Sequence, residues 1–303
     1  MTSLSNEILE KYQVRKSKKQ KLAFISLLQK HFPQLSVEAS GFPKSRNLVV
    51  GNIEQAKVVL TAHYDTSARS PVPNFMIPQK PVLSLLISIV MILPFLLAVL
   101  LLRMLLERLA LSPQTVFLIV TGFYTLFIFL LLYGPANKHT ANDNTSGVIV
   151  LCELLQSMSD EELSKTAFVF FDNEESGLVG SSRFRSKYKK VMKDKLLINF
   201  DCVSDGSNIL IATSKKARTS YENLIKSSFS PTDELTVIFE KLEKVMYPSD
   251  QAGFKTAVAI AALKHKRFLG YYMDRIHTPK DTIFEERNIS YLKDCVQQLI
   301  KAL

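Results

Sequence analysis

Acidic side chains and a histidine follow three apolar runs of the sequence, at the point where each run ends. His63 and Asp65 follow KVVLTA, Glu174 and Glu175 follow TAFVFF closely, and Asp201 follows KLLINF. Carboxylates placed directly after an apolar segment are unfavourable unless a positive group meets them. Imidazole and carboxylate groups bind divalent metals such as zinc. The pattern therefore predicts a metal site with hydrolytic chemistry.

Two further candidates lie on loops. Asp143 stands in ANDNTSG, before an apolar helical pattern, and His277 stands in RIHTPKDT, with Asp281 as an expected loop cap. ANDNTSG is equally typical of a helix N-cap, and the two interpretations are compatible. In DNEESG the adjacent glutamates can divide the work, with Glu175 binding metal and Glu174 accepting a proton from the attacking water.

The elements that must position these residues are short β-branched runs between helical patterns. Strands are predicted at 47–50, 57–63, 166–171, 195–200 and from Val258, with helices at 147–158 and 179–190. This alternation predicts an α/β fold with a mostly parallel mixed sheet, covered by helices on both faces. Ligands bind at the carboxyl ends of such strands. The acids and His63 should therefore meet in one crevice.

Two uncharged apolar segments interrupt this pattern, at about 82–102 and 116–134. Each is long enough to cross a bilayer about 30 Å thick, and neither shows the polar stripe of a soluble core helix. They predict a transmembrane hairpin, residues 80–136, with a charged connection that includes Arg103 and Arg108. Residues 1–79, an N-terminal helix and the first part of the catalytic domain, would then emerge on the same side as the remainder, residues 137–303.

The sequence also indicates a location. The first residues lack the apolar region of a secretory signal, and Cys152, Cys202 and Cys295 are typical of core thiols in a reducing compartment. We therefore expect a multi-pass protein of the cell membrane whose catalytic domain is cytoplasmic. A basic cluster, 15–21, is typical of a solvated helix face or of a segment attracted to anionic lipid. Despite the net charge of +10, we expect no nucleic-acid partner.

Other chemistries find no support in the sequence. Glycine-rich nucleotide motifs are missing, and neither Ser146 nor Ser249 lies in a GxSxG elbow. His31, His139 and His265 lack a comparable setting and are expected at the surface or at an interface. A transporter would need ionisable groups within its spans, and the apolar segments have none.

Taken in order, HYDT, ANDNTSG, DNEESGLVGS, NFDCVSDG and RIHTPKDT resemble the zinc aminopeptidase family that includes bacterial leucyl aminopeptidases, glutamate carboxypeptidase and glutaminyl cyclases. The resemblance implies two Zn²⁺ ions, although manganese or cobalt would also suit such ligands. It implies His63, Asp143 and Asp201 around one ion, and Asp143, Glu175 and His277 around the other. Glu174 would be the general base, and Asp65 would support His63.

The resemblance implies hydrolysis of peptides, with an aminopeptidase as the leading activity. A carboxypeptidase or a glutaminyl-cyclase-like enzyme would use the same ligands, and a non-catalytic membrane protein is the alternative of another class. Arg183 or Arg185 would favour a carboxypeptidase if either lined the substrate pocket. SDQAGF is similar to the family's segment near the substrate mouth, and Tyr247 is a candidate oxyanion donor. Because the hairpin lies between His63 and Asp143, we also expect the crevice to face the bilayer.

Overall fold

A mixed sheet organises the protein, whose computed structural model describes residues 1–42 and 44–303. Within those residues the sheet has nine strands, in the order β1-β2-β4-β3-β5-β8-β6-β7, with β9 paired to β8. The strands are β1 (Ser36–Ser40), β2 (Ser45–Val50), β3 (Val58–His63), β4 (Thr166–Phe171), β5 (Leu196–Phe200), β6 (Asn208–Thr213), β7 (Thr236–Lys241), β8 (Ala257–Lys266) and β9 (Gly270–Tyr272). The helices are α1 (Ser3–Lys11), α2 (Lys18–His31), α3 (Pro81–Arg108), α4 (Pro113–Tyr133), α5 (Gly147–Ser157), α6 (Asp160–Ser164), α7 (Val179–Lys187), α8 (Lys215–Ser228) and α9 (Glu286–Lys301).

The centre of the sheet is parallel. Strand β3 pairs in parallel with β4 on one side and β5 on the other, and β5 pairs in parallel with β8. The flanking strands β2 and β6 run antiparallel to their inner neighbours. The predicted α/β class with a mixed, centrally parallel sheet is therefore confirmed.

Both faces of the sheet are covered. On β3, Val58 and Leu60 contribute to a large core with residues of α1, α2, α5 and α9. Val59, which points to the opposite face, packs in a second core with Phe184 of α7. Side chains of a strand alternate between faces, so an apolar run is suited to burial on both.

The start of α5 is pressed against the sheet. A Cβ atom at Gly147 would lie 2.4 Å from the carbonyl oxygen of Phe200 in β5. The backbone N–H of Gly147 donates to Oδ1 of Asn144 at 3.0 Å. Asn144, one residue after the expected ligand Asp143, thus caps the helix, and the absence of a side chain at Gly147 permits the close approach.

Helices α3 and α4 form an antiparallel pair that is apolar and exposed. The rings of Phe95 and Phe127 stack between them, with centroids 3.8 Å apart. By length and composition, both helices could cross a membrane. Only 6% of an apolar 18-residue stretch of each helix is buried. The prediction that Arg103 and Arg108 lie in the connection is wrong. Both belong to the last turns of α3, because a helix continues readily through an i,i+4 pair such as Arg103 with Glu107 at 2.9 Å.

The basic cluster at 15–21 is not a uniformly solvated helix face. Arg15 precedes α2 and is fully buried, and Lys21 is buried beside Asp172 at 2.5 Å. The expectation holds only for exposed members such as Lys18 and Lys19. Tertiary hydrogen bonds and an ion pair, which helical periodicity does not reveal, account for the two buried cations. The three cysteines are free and buried, as expected.

Candidate metal centre

The parallel centre of the sheet brings the strand-end residues together. His63 ends β3 and is in register with Phe171, the last residue of β4, while Asp201 directly follows β5 on the other side of β3. Glu174 and Glu175 lie on the turn after β4. The carboxyl ends of these neighbouring strands share one edge of the sheet, and the side chains therefore face one cleft.

Asp143 lies between the two histidines. Its Oδ1 is 3.3 Å from Nε2 of His63, and its Oδ2 is 2.9 Å from Nε2 of His277. The other carboxylates complete two groups, since His63 Nε2 lies 3.5 Å from Asp201 and His277 Nε2 lies 3.3 Å from Glu175. All five residues that the sequence predicted as metal ligands thus meet in one place.

Asp65 holds the turn that carries the glutamates. Its two carboxylate oxygens accept the backbone N–H groups of Glu174 at 2.9 Å and Glu175 at 3.3 Å. Its carboxylate is 3.8 Å from Nδ1 of His63, whereas its backbone carbonyl is 3.0 Å from that nitrogen. Asp65 therefore orients His63 through its main chain and the glutamate turn through its side chain.

Asp281 holds the segment that carries Asp143. Its carboxylate accepts the backbone N–H groups of Asn142 at 2.8 Å and Asp143 at 3.0 Å. Burial, followed by the charge of Asp143, raises the pKa of Asp281 to about 8. Asp281 was expected to cap its own loop, and its carboxylate instead caps the segment of Asp143.

The electrostatics of the cleft are dominated by burial and by its acids. Burial raises the pKa of Glu174 well above its ordinary value, with His63 opposing, and burial raises that of Glu175 to about 8. Burial lowers the pKa of His277, but Glu175 and Asp143 outweigh it and raise that pKa to about 10. Burial likewise opposes ionisation of Asp143, yet His277 and then His63 hold its pKa well below the usual range.

The donor set fits a pair of divalent cations. Ligand atoms of His63, Asp143 and Asp201 lie within 4.8 Å of one another, and so do those of Asp143, Glu175 and His277. Oε1 of Glu175 is buried without a hydrogen-bond partner, which leaves an acceptor free for a cation. Mixed imidazole and carboxylate donors suit zinc, with manganese or cobalt as chemically reasonable substitutes.

Sequence reasoning missed two buried groups beside this cleft. Asp250 of SDQAGF is fully buried, and neither of its carboxylate oxygens has a hydrogen-bond partner. Burial raises its pKa to about 7. Arg15 lies behind the cleft, where it donates to the carbonyl of Tyr64 and, at 3.1 Å, to Oγ1 of Thr145. For Asp250, the available signal was the SDQAGF segment, which was already noted for its resemblance. For Arg15, it was a position at the edge of a basic cluster.

Three candidates from the sequence have other contacts. Tyr247 donates its hydroxyl to the backbone carbonyl of Asp201 at 2.8 Å, so it supports a ligand position. Arg183 donates to the carbonyl of Ser40, and Arg185 donates to that of Ala252. Neither arginine lines the cavity of about 500 Å³ beside Glu175.

Solved structures share this fold at low sequence identity. The glutaminyl cyclase of Porphyromonas gingivalis is 14% identical with a TM-score of 0.59, over 99% of this chain and 97% of that one. The aminopeptidase LapA of Legionella pneumophila is 13% identical with a TM-score of 0.55, over 98% and 67%. A Zn-dependent exopeptidase of Parabacteroides distasonis is 13% identical with a TM-score of 0.54, over 98% and 94%. None of the curated proteins matches the chain in sequence.

The sequence itself matches a family model over more than half of its length. The match to the model of peptidase family M28 covers residues 125–301. That range contains Asp143, Glu174, Glu175, Asp201 and His277, and the shared fold extends over the earlier part of the chain with His63. The chain therefore belongs to peptidase family M28.

Proposed function

We propose that the protein is a membrane-anchored zinc peptidase with two metal ions, and that it is an aminopeptidase. The observation that carries the proposal is Asp143, whose two oxygens face two histidines within two separate donor groups. His63, Asp143 and Asp201 would hold one ion, and Asp143, Glu175 and His277 the other. When bound, such ions polarise the scissile carbonyl and lower the pKa of the attacking water.

Glu174 is the proton carrier in this proposal. Asp65 fixes its backbone N–H, and burial raises the pKa of its carboxyl group. A positioned carboxylate can accept a proton in one step and return it in the next. Its carboxylate takes a proton from the attacking water and delivers it to the leaving nitrogen.

The surplus of acids supports an aminopeptidase over a carboxypeptidase. Asp250, which is not among the proposed metal ligands, has two buried carboxylate oxygens without hydrogen-bond partners, and such a group favours a ligand that carries a positive charge. A free α-ammonium group is the positive charge that every peptide N-terminus offers. The arginines that would have favoured a carboxypeptidase donate to backbone carbonyls elsewhere.

The apolar helices support the membrane part of the proposal. Residues 80–136 would form the anchor, and residues 1–79 and 137–303 would form one catalytic domain on its cytoplasmic side. Leu132 and Tyr133, at the end of α4, line the same cavity as Glu175. This proximity supports a site close to the bilayer surface that processes peptides at the membrane. Equal turnover of soluble peptides after deletion of 80–136 would contradict that placement.

The test is metal content and turnover of the detergent-solubilised protein. We expect about two zinc ions per chain, cleavage of peptides with a free N-terminus, and little cleavage of N-blocked ones. Glu174→Gln should keep the metal and lower kcat by a factor of about 10² to 10⁴, the usual contribution of a general base. Glu222→Gln, at an ion pair on the surface of α8, is the matched control. Rapid cleavage of N-blocked peptides, or cyclisation of N-terminal glutamine without hydrolysis, would refute the aminopeptidase.

A further inference from the structure

The cavity beside Glu175 has a basic wall made by the N-terminal segment. Its volume of about 500 Å³ lies within the usual range of small-ligand sites, roughly 300–1,000 Å³. Lys16 and Lys21 line it together with Glu175, Asp65 and the end of α4 at Tyr133. A substrate that occupied this space would meet a cation of the protein a short distance from the metal ligands.

Lys16 and Lys21 differ in how many of their N–H donors already have partners in the protein. Lys21 donates to the carboxylate of Asp172 at 2.5 Å and to the side chain of Asn173 at 2.6 Å. Lys16 donates at 3.1 Å to the backbone carbonyl of Leu132. In residues 1–42 and 44–303 no carboxylate lies within ion-pair distance of Lys16. An ammonium group has three N–H donors, so Lys16 retains N–H donors for a ligand, while Glu175 and Asp65 act on its charge only from a distance.

The backbone around Lys16 is fixed relative to the metal centre. On one side Arg15, fully buried, donates its backbone N–H to Thr66 at 3.0 Å and its side chain to the segment that follows His63. On the other side Ser17 begins α2 in a reciprocal capping arrangement with Gln20. The backbone of Lys16 is therefore held between two anchored neighbours, which fixes the point from which its side chain extends along the cavity wall.

We propose that Nζ of Lys16 binds a carboxylate of the substrate, which makes short peptides with a carboxylate on the leaving side the preferred substrates. The inference rests on the proposed peptidase function and adds the substrate class. The carboxylate can be the C-terminus of a dipeptide or an acidic side chain of the residue after the scissile bond. Both have the same chemistry, and Lys16 can donate a charge-assisted hydrogen bond to either.

The expected strength follows from the position of Lys16, which is half-buried. A charge-assisted hydrogen bond to a partly desolvated ammonium is stronger than one between neutral groups. We expect a preference of about tenfold in kcat/KM, which corresponds to about 1.4 kcal/mol at 25 °C.

The experiment compares Leu-Ala, Leu-Ala amide and Leu-Glu amide as substrates of the full-length, zinc-loaded protein. Wild type should favour Leu-Ala over Leu-Ala amide by about tenfold, or Leu-Glu amide over Leu-Ala amide if the side chain is the source. Lys16→Gln should reduce that ratio to about one by losing activity only on the carboxylate substrate. Lys16→Arg should restore part of it. Lys19→Gln, an exposed lysine outside the cavity, should behave as wild type.

Two results would overturn the proposal. The ratio could be the same in wild type and Lys16→Gln, or Lys16→Gln could lose activity equally on all three substrates, which would assign Lys16 to its contact with Leu132 alone. A binding measurement separates this failure from that of the peptidase. If wild type cleaves no peptide, the proposed function fails. A Lys16-dependent preference for N-acetylalanine over its amide would then still support the carboxylate site, and equal binding would refute it.

Discussion

The cleft that holds the expected metal ligands and the α3–α4 hairpin both depart from the usual distribution of side chains. The cleft buries charged residues, and the hairpin exposes apolar ones. In the cleft, His63 and Asp143 are 1% and 3% exposed. On the hairpin, Val82 and Phe117 are 72% and 67% exposed. Buried charges and large exposed apolar surfaces are both unfavourable for a protein in water. The proposed metal ions would supply positive charge in the cleft, and the proposed bilayer would supply an apolar medium around the hairpin.

The two regions also differ in how they are held. The cleft is fixed by many directed hydrogen bonds, such as those of Asp65 to the glutamate turn and of Asp281 to the Asp143 segment. The contacts within the hairpin include stacked rings, with Phe95 against Phe123 and Phe127. A site that binds cations needs defined donor positions, whereas a hairpin in lipid needs only apolar surface and internal backbone hydrogen bonds. Conditions that disturb one region should leave the other intact.

Removal of metal should have the largest effect on activity, and that effect should be confined to the cleft. A chelator should abolish peptide hydrolysis, because the polarising ions are lost. Ions present at about 1,000 times their Kd stabilise a fold by about 4 kcal/mol, so Tm should fall by roughly 8–16 °C. Activity and Tm assays with metal analysis check this, and the apo-protein should stay in the membrane fraction. Unchanged Tm in protein proven to be free of metal would contradict the assignment.

Charges on the hairpin should have a large effect on membrane insertion, and that effect should be confined to insertion. Leu97 and Leu126 are exposed at mid-helix, at 55% and 53%. A lysine near the centre of a span is unfavourable by about 2.5–3.5 kcal/mol, so Leu97→Lys with Leu126→Lys should disfavour insertion by about 5–7 kcal/mol. Alkaline extraction of membranes measures it. Leu111→Lys, between the helices, is the control. Retention of the double variant at the wild-type level would argue for another environment.

Much of this contrast could be predicted from the sequence, because each region leaves a local signature. Apolar runs without charge indicated the hairpin. Polar residues placed after apolar runs indicated that His63, Glu175 and Asp201 lie at one sheet edge. Asp143 and His277 lie on loops, and local sequence patterns do not predict where a loop runs. Only the resemblance predicted that both residues lie at the site. The edge strands β1 and β7 escaped prediction because they are partly exposed and carry polar residues. The buried strand β6 and the three-residue strand β9 were also not predicted.

The burial of residues in the basic cluster 15–21 could not be predicted from the local sequence. RKSKKQK gives no sign that Arg15 is fully buried while Lys19 is exposed. The difference arises from contacts with residues about 50 to 130 positions away, such as Thr66 and Thr145. Hydrogen bonds over such separations have no periodic pattern. Asp250 was missed for the same reason, since its burial beside the cleft is a property of the folded chain.

Substitution of Arg15 should therefore destabilise the fold around the cleft. Arg15→Met would leave the carbonyls of Tyr64 and Tyr12 without this donor. Buried acceptors that lose their partner are unfavourable by about 1–3 kcal/mol each, so we expect a loss of about 3 kcal/mol in the free energy of unfolding. Denaturant titration of the solubilised protein measures it. Lys18→Met, on an exposed position, should change it by less than about 0.5 kcal/mol.

The smallest effect is expected for Asp65→Asn, which separates the two tasks of that residue. The variant keeps the backbone carbonyl that lies 3.0 Å from His63 Nδ1. It retains only one side-chain oxygen for the N–H groups of Glu174 and Glu175. Loss of such a supporting contact usually lowers activity by about 10- to 100-fold. Since His63 remains oriented, we expect kcat to fall by about tenfold with two metal ions still bound. Loss of one ion with unchanged kcat per metal-loaded molecule would instead show that the carboxylate acts through His63.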